Sequence, residues 1–467
     1  MTANIEAAKA ALAHLDLDTN PVSVKAKSRD FFWYSPVLKA RLDHVTADFA
    51  VAPRTEAEVI EVLKVCYAHD VPVTTRGTGT GNYGQAMPLA GGCILHLNQF
   101  NKVKEIHPGR VIVEPGAILK DIDAACKAQS GQELRMFSST WATATIGGFV
   151  AGGSGGVGSV RWGGLRDLGN IIRLRVVTME AEPRVMEFTG EELHRVSHAY
   201  GTNGIITELE MPLAPAYDWV GMFVTLPDFP SANRFGYELA CEDGLLVKLV
   251  TVFEAPIAQD YFQRVSPYVN PGQAVLALMV APHAMGAFAT FAARWPEADV
   301  IWRSDHPAWP KDPGHVFEYG WNHTTLRALK VDPSITYLQV GYGTDNPLEL
   351  VEAVRQKFSP EVLQHIEVTR GGGKVQMGGL SIVKFTTEAR LDEIVREHEA
   401  MGAMIFNPHR YTLEEGGRQA VDARQLDFKR EADPKGLLNP GKMIAWDDPA
   451  WDYARMYAWP GMMKAAE

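Results

Sequence analysis

Two glycine-dense stretches constrain this chain more than any other feature of its sequence. The longer, SSTWATATIGGFVAGGSGGVGSVRWGG at 138–164, holds nine glycines. A segment with so few side chains is expected to be a loop whose backbone approaches something closely, not a core element. The shorter runs Arg76-Gly77-Thr78-Gly79-Thr80-Gly81-Asn82-Tyr83-Gly84, directly after the β-rich VPVTT at 71–75. It contains a literal GxGxxG, the fingerprint of a nicotinamide-binding Rossmann fold, and Glu105 lies at the spacing of that fold's ribose-binding acid. A Rossmann loop must open a helix that faces the pyrophosphate. Here Pro88 and Gly91-Gly92 follow too soon for a helix to form. What survives is the backbone chemistry. Successive glycines expose N–H groups and accept positive φ, forming an anion nest to which Thr78, Thr80 and Asn82 add side-chain donors. Two such loops about 70 residues apart suit a long ligand with several polar parts, such as a dinucleotide.

At 467 residues the chain has room for two or three domains. A net charge of −11 argues against a nucleic-acid partner. Cys66, Cys93, Cys126 and Cys241 form no CxxC pair and are expected to be buried thiols in a reducing compartment. The N-terminus has no signal-peptide pattern and no run is apolar enough to span a bilayer, so a cytoplasmic location is expected. Thr55 and Glu58 form a capping box, with Val59, Val62, Leu63 and Cys66 on one helical face. Short strands follow at about 93–97 and 111–114. A helix at 117–129 ends at Gly131, and a hairpin covers 171–188. Thr189 and Glu192 are read as capping a helix that stops at Gly201, before a strand at 204–213. The texture changes near Pro212 and Pro215. From 216 to 424, strands such as VKLVTVF and AVLALMV alternate with helical runs, which predicts an α+β domain with a mostly antiparallel sheet and helices on one face.

Several pieces in fixed order carry a resemblance: VPVTTRGTGTGNYG, VEPGA at 113–117, TIGGFVAGGSGG at 145–156, TNGIITELEMPL at 202–213 and FKREADPKGLLNPGKM at 428–443. Over roughly 25–215 and 425–445 the chain resembles the vanillyl-alcohol oxidase and p-cresol methylhydroxylase flavoproteins. The resemblance implies an α+β fold, with a two-subdomain FAD-binding domain over 1–215, a substrate-covering α+β cap over 216–424, and a segment over 425–467 that returns to the FAD domain. It also implies the cofactor contacts. Arg76, Gly77, Thr78, Gly79, Thr80, Gly81, Asn82 and Gly84 would hold the pyrophosphate. Pro115 and Gly116 would also bind the cofactor, and Thr140, Thr145, Gly147, Gly148, Ser154, Gly156 and Gly158 would follow the ring and ribityl chain. Gly204 and Ile206 would contact FAD by backbone, with Asn439 and Lys442 closing the site. Thr80 stands where many relatives carry the histidine that bonds the flavin, so FAD is expected to be non-covalent.

Taking a hydride into a flavin requires a protein group to remove a proton from the adjacent O–H or N–H, and a base near neutrality suits this. In relatives the segment before the tail faces the substrate, and here it reads FNPHRYTLEEGG at 406–417. In extended chain Asn407, His409 and Tyr411 share a face. This makes His409 the expected base, with Asn407 and Tyr411 holding the substrate oxygen. A second polar cluster is Tyr319, Trp321, Asn322 and His323. Arg161 and Trp162 are further pocket candidates, and Arg370 is a possible anion site. LEEGG lacks a histidine beside its glutamate, so no catalytic metal is expected. The reading is therefore an FAD-dependent oxidase or dehydrogenase of a small alcohol, hydroxy acid, sugar or phenol. Its electrons would pass to oxygen or another carrier, and a homo-oligomer is possible. The alternatives are a nicotinamide-dependent Rossmann dehydrogenase and a non-catalytic flavin-binding protein.

Overall fold

The computed structural model describes residues 3–309, 313–416 and 423–451. Its first sheet has the order Leu17–Asp18, Phe49–Val51, Cys93–His96, Val73–Arg76, and the last three strands are mutually parallel. The helix Glu56–Ala68 connects two of them. It starts at Thr55, whose hydroxyl accepts the Glu58 N–H, and it buries Val59, Val62, Leu63 and Cys66 completely. Between Arg76 and Cys93 there is no helix, so the GxGxxG does not open one. The C-terminal segment adds to this sheet. Val73 donates to Leu437 O and accepts from the Asn439 N–H.

A second sheet is antiparallel, in the order Val103–His107, Arg110–Val113, Ile205–Pro215, Arg173–Val177, Val185–Thr189, with Gln132–Leu134 on the end of Ile205–Pro215. The third sheet begins with Val220–Leu226. Its eight strands run Asp299–Arg303, Val220–Leu226, Ala274–Val280, Val247–Phe253, His365–Gly371, Lys374–Gly379, Gln339–Gly341, Met404–Phe406, all antiparallel. VKLVTVF and AVLALMV are apolar almost throughout because both faces are covered. Val250, Val252, Leu276 and Leu278 pack on Phe235 and Leu239 of the helix Phe229–Cys241. Leu249, Phe253 and Ala277 join the core that holds Phe149 of the second glycine stretch and Phe137 just before it.

Two local expectations are corrected. Part of the long glycine stretch is helical: Ile146–Gly152 forms seven residues of α-helix, N-capped by Thr145. Its stability comes from tertiary contact, since Ile146 and Val150 are fully buried. Each such side chain contributes about 1.5–3 kcal/mol, enough to outweigh the glycines' poor propensity. Conversely, 190–201 is not one α-helix. Only Gly190–Arg195 is helical, as a 3₁₀ turn without a Thr189 side-chain cap. The chain then turns through positive φ at His198 and Tyr200, whose N–H groups donate to Val150 and Ala151. Cys66, Cys93 and Cys126 are buried, but Cys241 is exposed.

Candidate cofactor and substrate site

A deep cleft lies between the three sheets and encloses about 1510 Å³ of unfilled space, part of it open to solvent. One wall is the first glycine loop. Arg76 leaves its strand and folds its guanidinium back onto backbone carbonyls of Lys27, Arg29 and Thr78. Gly79 (φ +73°) accepts this packing because it has no side chain: a Cβ there would lie 2.5 Å from the Arg76 guanidinium carbon. The opposite wall is the second stretch, with Ser138, Ser139 and Thr140 before its helix and Ser154 and Gly155 after it. The two stretches touch at Gly77, where a Cβ would come 2.1 Å from Thr145 Oγ1.

The cleft's polar chemistry is incomplete within the protein. Thr75 Oγ1, Arg76 Nε, Thr78 Oγ1 and Asn82 Nδ2 are buried yet have no hydrogen-bond partner in the protein, and all four residues line the cleft. The same holds for Trp321 Nε1 and Asn322 Oδ1, which close it from the third-sheet side. Leaving a buried polar group unpaired costs about 1–3 kcal/mol. Six of them around one cleft describe a surface built for a polar ligand. Hydroxyl, amide and guanidinium donors beside glycine N–H groups fit a pyrophosphate and the polar edges of FAD.

Fifteen of the expected cofactor residues line the cleft: Arg76, Gly77, Thr78, Gly79, Thr80, Gly81, Asn82, Pro115, Thr140, Thr145, Gly147, Gly148, Ser154, Gly204 and Ile206. Six others stand behind it. Gly116 packs on Leu97 O, Gly156 on Phe137 O and Gly158 on Arg135 O, with hypothetical Cβ distances of 2.0, 2.2 and 2.1 Å. Gly84 O accepts from Lys442 Nζ at 2.5 Å. Asn439 Nδ2 donates to Gln85 O (2.9 Å) and Tyr200 O (2.7 Å). Asn439 and Lys442 thus hold the loop's shape from behind.

The expected base requires correction. His409 is 2% exposed and does not line the cleft. Its Nδ1 pairs with Ser35 Oγ at 2.7 Å and its Nε2 with Tyr337 O at 2.9 Å. Burial pushes its pKa down to about 3. A ring held at both nitrogens and kept neutral is a structural cross-link. Asn407 caps the same turn by accepting the His409 N–H, and Tyr411 lies under the Lys442 ammonium, so the three do not form a substrate face. In the other cluster, Tyr319 is fully buried with its hydroxyl on Pro313 O, and His323 is off the cleft, its pKa lowered by burial to about 4. Arg370 is occupied by Val160 O, Ala240 O and Asp243, Arg161 is exposed, and Trp162 stacks under Arg135. Among the described residues no group of three or more His, Cys, Asp or Glu side chains could hold a metal. Gly417 of the 406–417 segment lies outside the described residues.

Sequence reasoning missed Asp30, Tyr83, Gln85, Tyr200 and Gln339, all on the cleft wall. Asp30 accepts the Phe32 and Ala86 N–H groups. Burial pushes its carboxyl up toward neutrality, and the nearby Lys442 and Arg76 charges partly oppose the rise. The same burial lowers the Lys442 ammonium. The left-handed turn around AYGTNG could have signalled Tyr200, and the first glycine loop its own Tyr83 and the adjoining Gln85; Asp30 and Gln339 arrive by long-range folding.

A family model described as an FAD binding domain matches residues 47–186. The glycolate oxidase subunit GlcD of Bacillus subtilis is 31% identical over 443 residues, covering 86% of this chain and 89% of that protein. An uncharacterized FAD-linked oxidoreductase of Mycobacterium tuberculosis is 32% identical over 182 residues, and the match spans only 38% of its length. A D-lactate dehydrogenase of Anaerostipes hadrus is 30% identical over 178 residues, 34% of each chain. The fold is shared with a solved alkyldihydroxyacetonephosphate synthase, with a TM-score of 0.68 at 15% identity over 91% of this chain and 83% of that one. The chain belongs to the FAD-linked oxidoreductases that carry the p-cresol-methylhydroxylase type of FAD-binding domain. FAD is its cofactor.

Proposed function

We propose that the protein oxidises a small hydroxylated donor, with 2-hydroxy acids as the first class to test. The relatives named for glycolate and D-lactate support that choice. The observation that carries the reading is the single cleft in which both glycine stretches and the Trp321–Asn322 edge leave buried polar groups unpaired. In this reading residues 1–215 form the two-subdomain FAD domain, 216–424 the cap, and 425–467 the returning segment. The last residues of that segment lie outside those described.

Bound FAD supplies the hydride acceptor at N5. The loop 76–84 binds the pyrophosphate, and Thr140, Thr145 and Ser154 orient the ring and ribityl chain. Trp321 and Asn322 cover the substrate and exclude water. Asp30, in place of His409, takes the proton released from the donor: unlike His409 its carboxyl lines the cleft, and each oxygen keeps a lone pair after accepting the Phe32 and Ala86 N–H groups, with burial raising its affinity for a proton. FAD is held without a covalent bond because Thr80 offers no nucleophilic ring nitrogen. Protein precipitated with acid is expected to release all its yellow colour to the supernatant, and colour retained in the pellet overturns non-covalent binding. The reading leans to a dehydrogenase with an acceptor other than oxygen, working in the cytoplasm; no described helix is long and apolar enough to cross a membrane.

The test is anaerobic bleaching of the purified yellow protein by glycolate, D- and L-lactate, simple alcohols, sugars and phenols. Bleaching by one of the hydroxy acids is the expected result. A colourless protein that binds a nicotinamide nucleotide would defeat the proposal. Reoxidation in air, if slow, supports the dehydrogenase reading.

A further inference from the structure

Opposite the glycine loops, the cleft is closed by a residue in an unusual backbone state. Trp321 has φ +50° and ψ −143°, a conformation a bulky side chain keeps only when its surroundings over-determine it. Besides core packing and the Thr324 N–H on its carbonyl, one carboxylate holds its backbone N–H. Glu367, on the strand His365–Gly371, is 1% exposed and does not reach the cleft. Its Oε1 accepts the Trp321 backbone N–H at 2.5 Å and pairs with His365 Nε2 at 3.0 Å. Its Oε2 accepts the Thr251 hydroxyl at 2.6 Å. Gly320 makes the approach possible, since a Cβ there would lie 2.7 Å from Oε1. A carboxylate offers about four acceptor sites on two oxygens and forms the stronger, charge-assisted hydrogen bonds, so a single side chain can fix all three elements. The result is an indole set close to Gly155 of the second glycine stretch, where a Cβ would lie 3.4 Å from its edge, with Nε1 buried and unpaired on the cleft wall.

We propose that Glu367 is a positioning residue: by holding the Trp321 backbone it keeps the indole N–H at the cleft wall, where that N–H donates to the substrate's hydroxyl or carboxylate oxygen. This rests on the reading of the cleft as the site of a hydroxylated donor. Asn322, next in sequence and also unpaired in the cleft, adds a second contact from the same turn.

The test is a cycle of Glu367→Gln, Trp321→Phe and the double variant, each as the FAD-loaded protein. FAD content, the donor's Kd and the limiting rate of anaerobic flavin reduction are measured for each. Glu367→Gln is expected to raise the donor's Kd about tenfold, the weight of one charge-assisted hydrogen bond, with FAD content unchanged. Trp321→Phe should do the same, and the double variant should bind the donor no more weakly than Trp321→Phe alone. Factors that multiply in the double variant, or equal losses of FAD and folding in both backgrounds, overturn the proposal in favour of a purely structural carboxylate. Should Glu367→Gln not fold, Thr251→Val loosens the same carboxylate, and its smaller rise in Kd must likewise vanish in the Trp321→Phe background. If no hydroxylated donor reduces the wild-type flavin, the substrate reading falls while Glu367 is still decided by fluorescence. The share of indole emission that bound flavin quenches through Trp321, measured against Trp321→Phe, must be lost in Glu367→Gln. Its persistence overturns the positioning role.

Discussion

The loop 76–84 and the segment 406–416 invite comparison, because both concentrate polar side chains and the sequence marks both as functional. In the segment the groups that the sequence singles out have protein partners: His409 has Ser35 and Tyr337, Asn407 has the His409 N–H, Tyr411 has the Lys442 ammonium, and Arg410 has Glu388 and Asp392, while one buried atom, Glu414 Oε2, has none. In the loop, Thr78 Oγ1, Asn82 Nδ2 and Arg76 Nε are buried with none. Buried polar groups are almost always paired in folded proteins, so a concentration of unpaired ones marks where a ligand completes the structure. Polarity alone does not distinguish a site from a cross-link. Unmet hydrogen-bonding capacity does.

The comparison breaks most sharply at Gly79. Gly79→Val requires a β-branched residue at φ +73° and drives its Cβ into the Arg76 guanidinium. Complete loss of bound FAD from a folded protein is expected, measured by absorbance and circular dichroism. A variant that keeps its full flavin content would remove this loop from the pyrophosphate site. Next in size is Asp30→Asn, which retains an acceptor for one backbone N–H but no base. Flavin reduction by the donor should slow about 10²–10⁴-fold with FAD still bound, and an unchanged stopped-flow rate would dismiss Asp30 as proton acceptor. Thr78→Ala deletes one unpaired hydroxyl and should weaken FAD about fivefold, near 1 kcal/mol, in a reconstitution titration. If affinity instead stays the same, the hydroxyl does not face the cofactor.

The smallest effect on flavin chemistry belongs to the other region. His409→Asn should leave the flavin-reduction rate at saturating donor unchanged and alter the acid stability instead. His409 has a folded pKa depressed to about 3 from an ordinary value of 6.5. The unfolded chain therefore takes up the proton first, and the stability contributed by the neutral ring is full above pH 6.5 and lost as pH falls toward 3. Melting temperature plotted over that range should fall less steeply in the variant. A slope equal to that of the wild type would show that His409 is not held neutral.

What was legible in the sequence follows the same division. The glycine loop, the Glu56–Ala68 helix and the hairpin of Arg173–Val177 with Val185–Thr189 are written in local patterns, because turn geometry, capping and period-2 alternation are short-range effects. The helix Ile146–Gly152 was not legible, since its glycines oppose it and only distant burial stabilises it. Nor was His409's role, because its partner Ser35 lies 374 residues away. Asp30 and Gln339 reach the cleft from distant segments of the chain and belong to no periodic pattern that points there.

One consequence concerns how the protein is made. The strand leading into the glycine loop is bracketed by Leu437 and Asn439, and the loop itself is anchored by Lys442 through Gly84 O. A nascent chain that has emerged only as far as the third sheet already contains every residue of both glycine stretches, yet the loop 76–84 has no back wall. Cofactor capture therefore has to wait until Leu437, Asn439 and Lys442 have joined the fold, and a chain truncated before Leu437 should accumulate as flavin-free protein however much FAD the cell supplies.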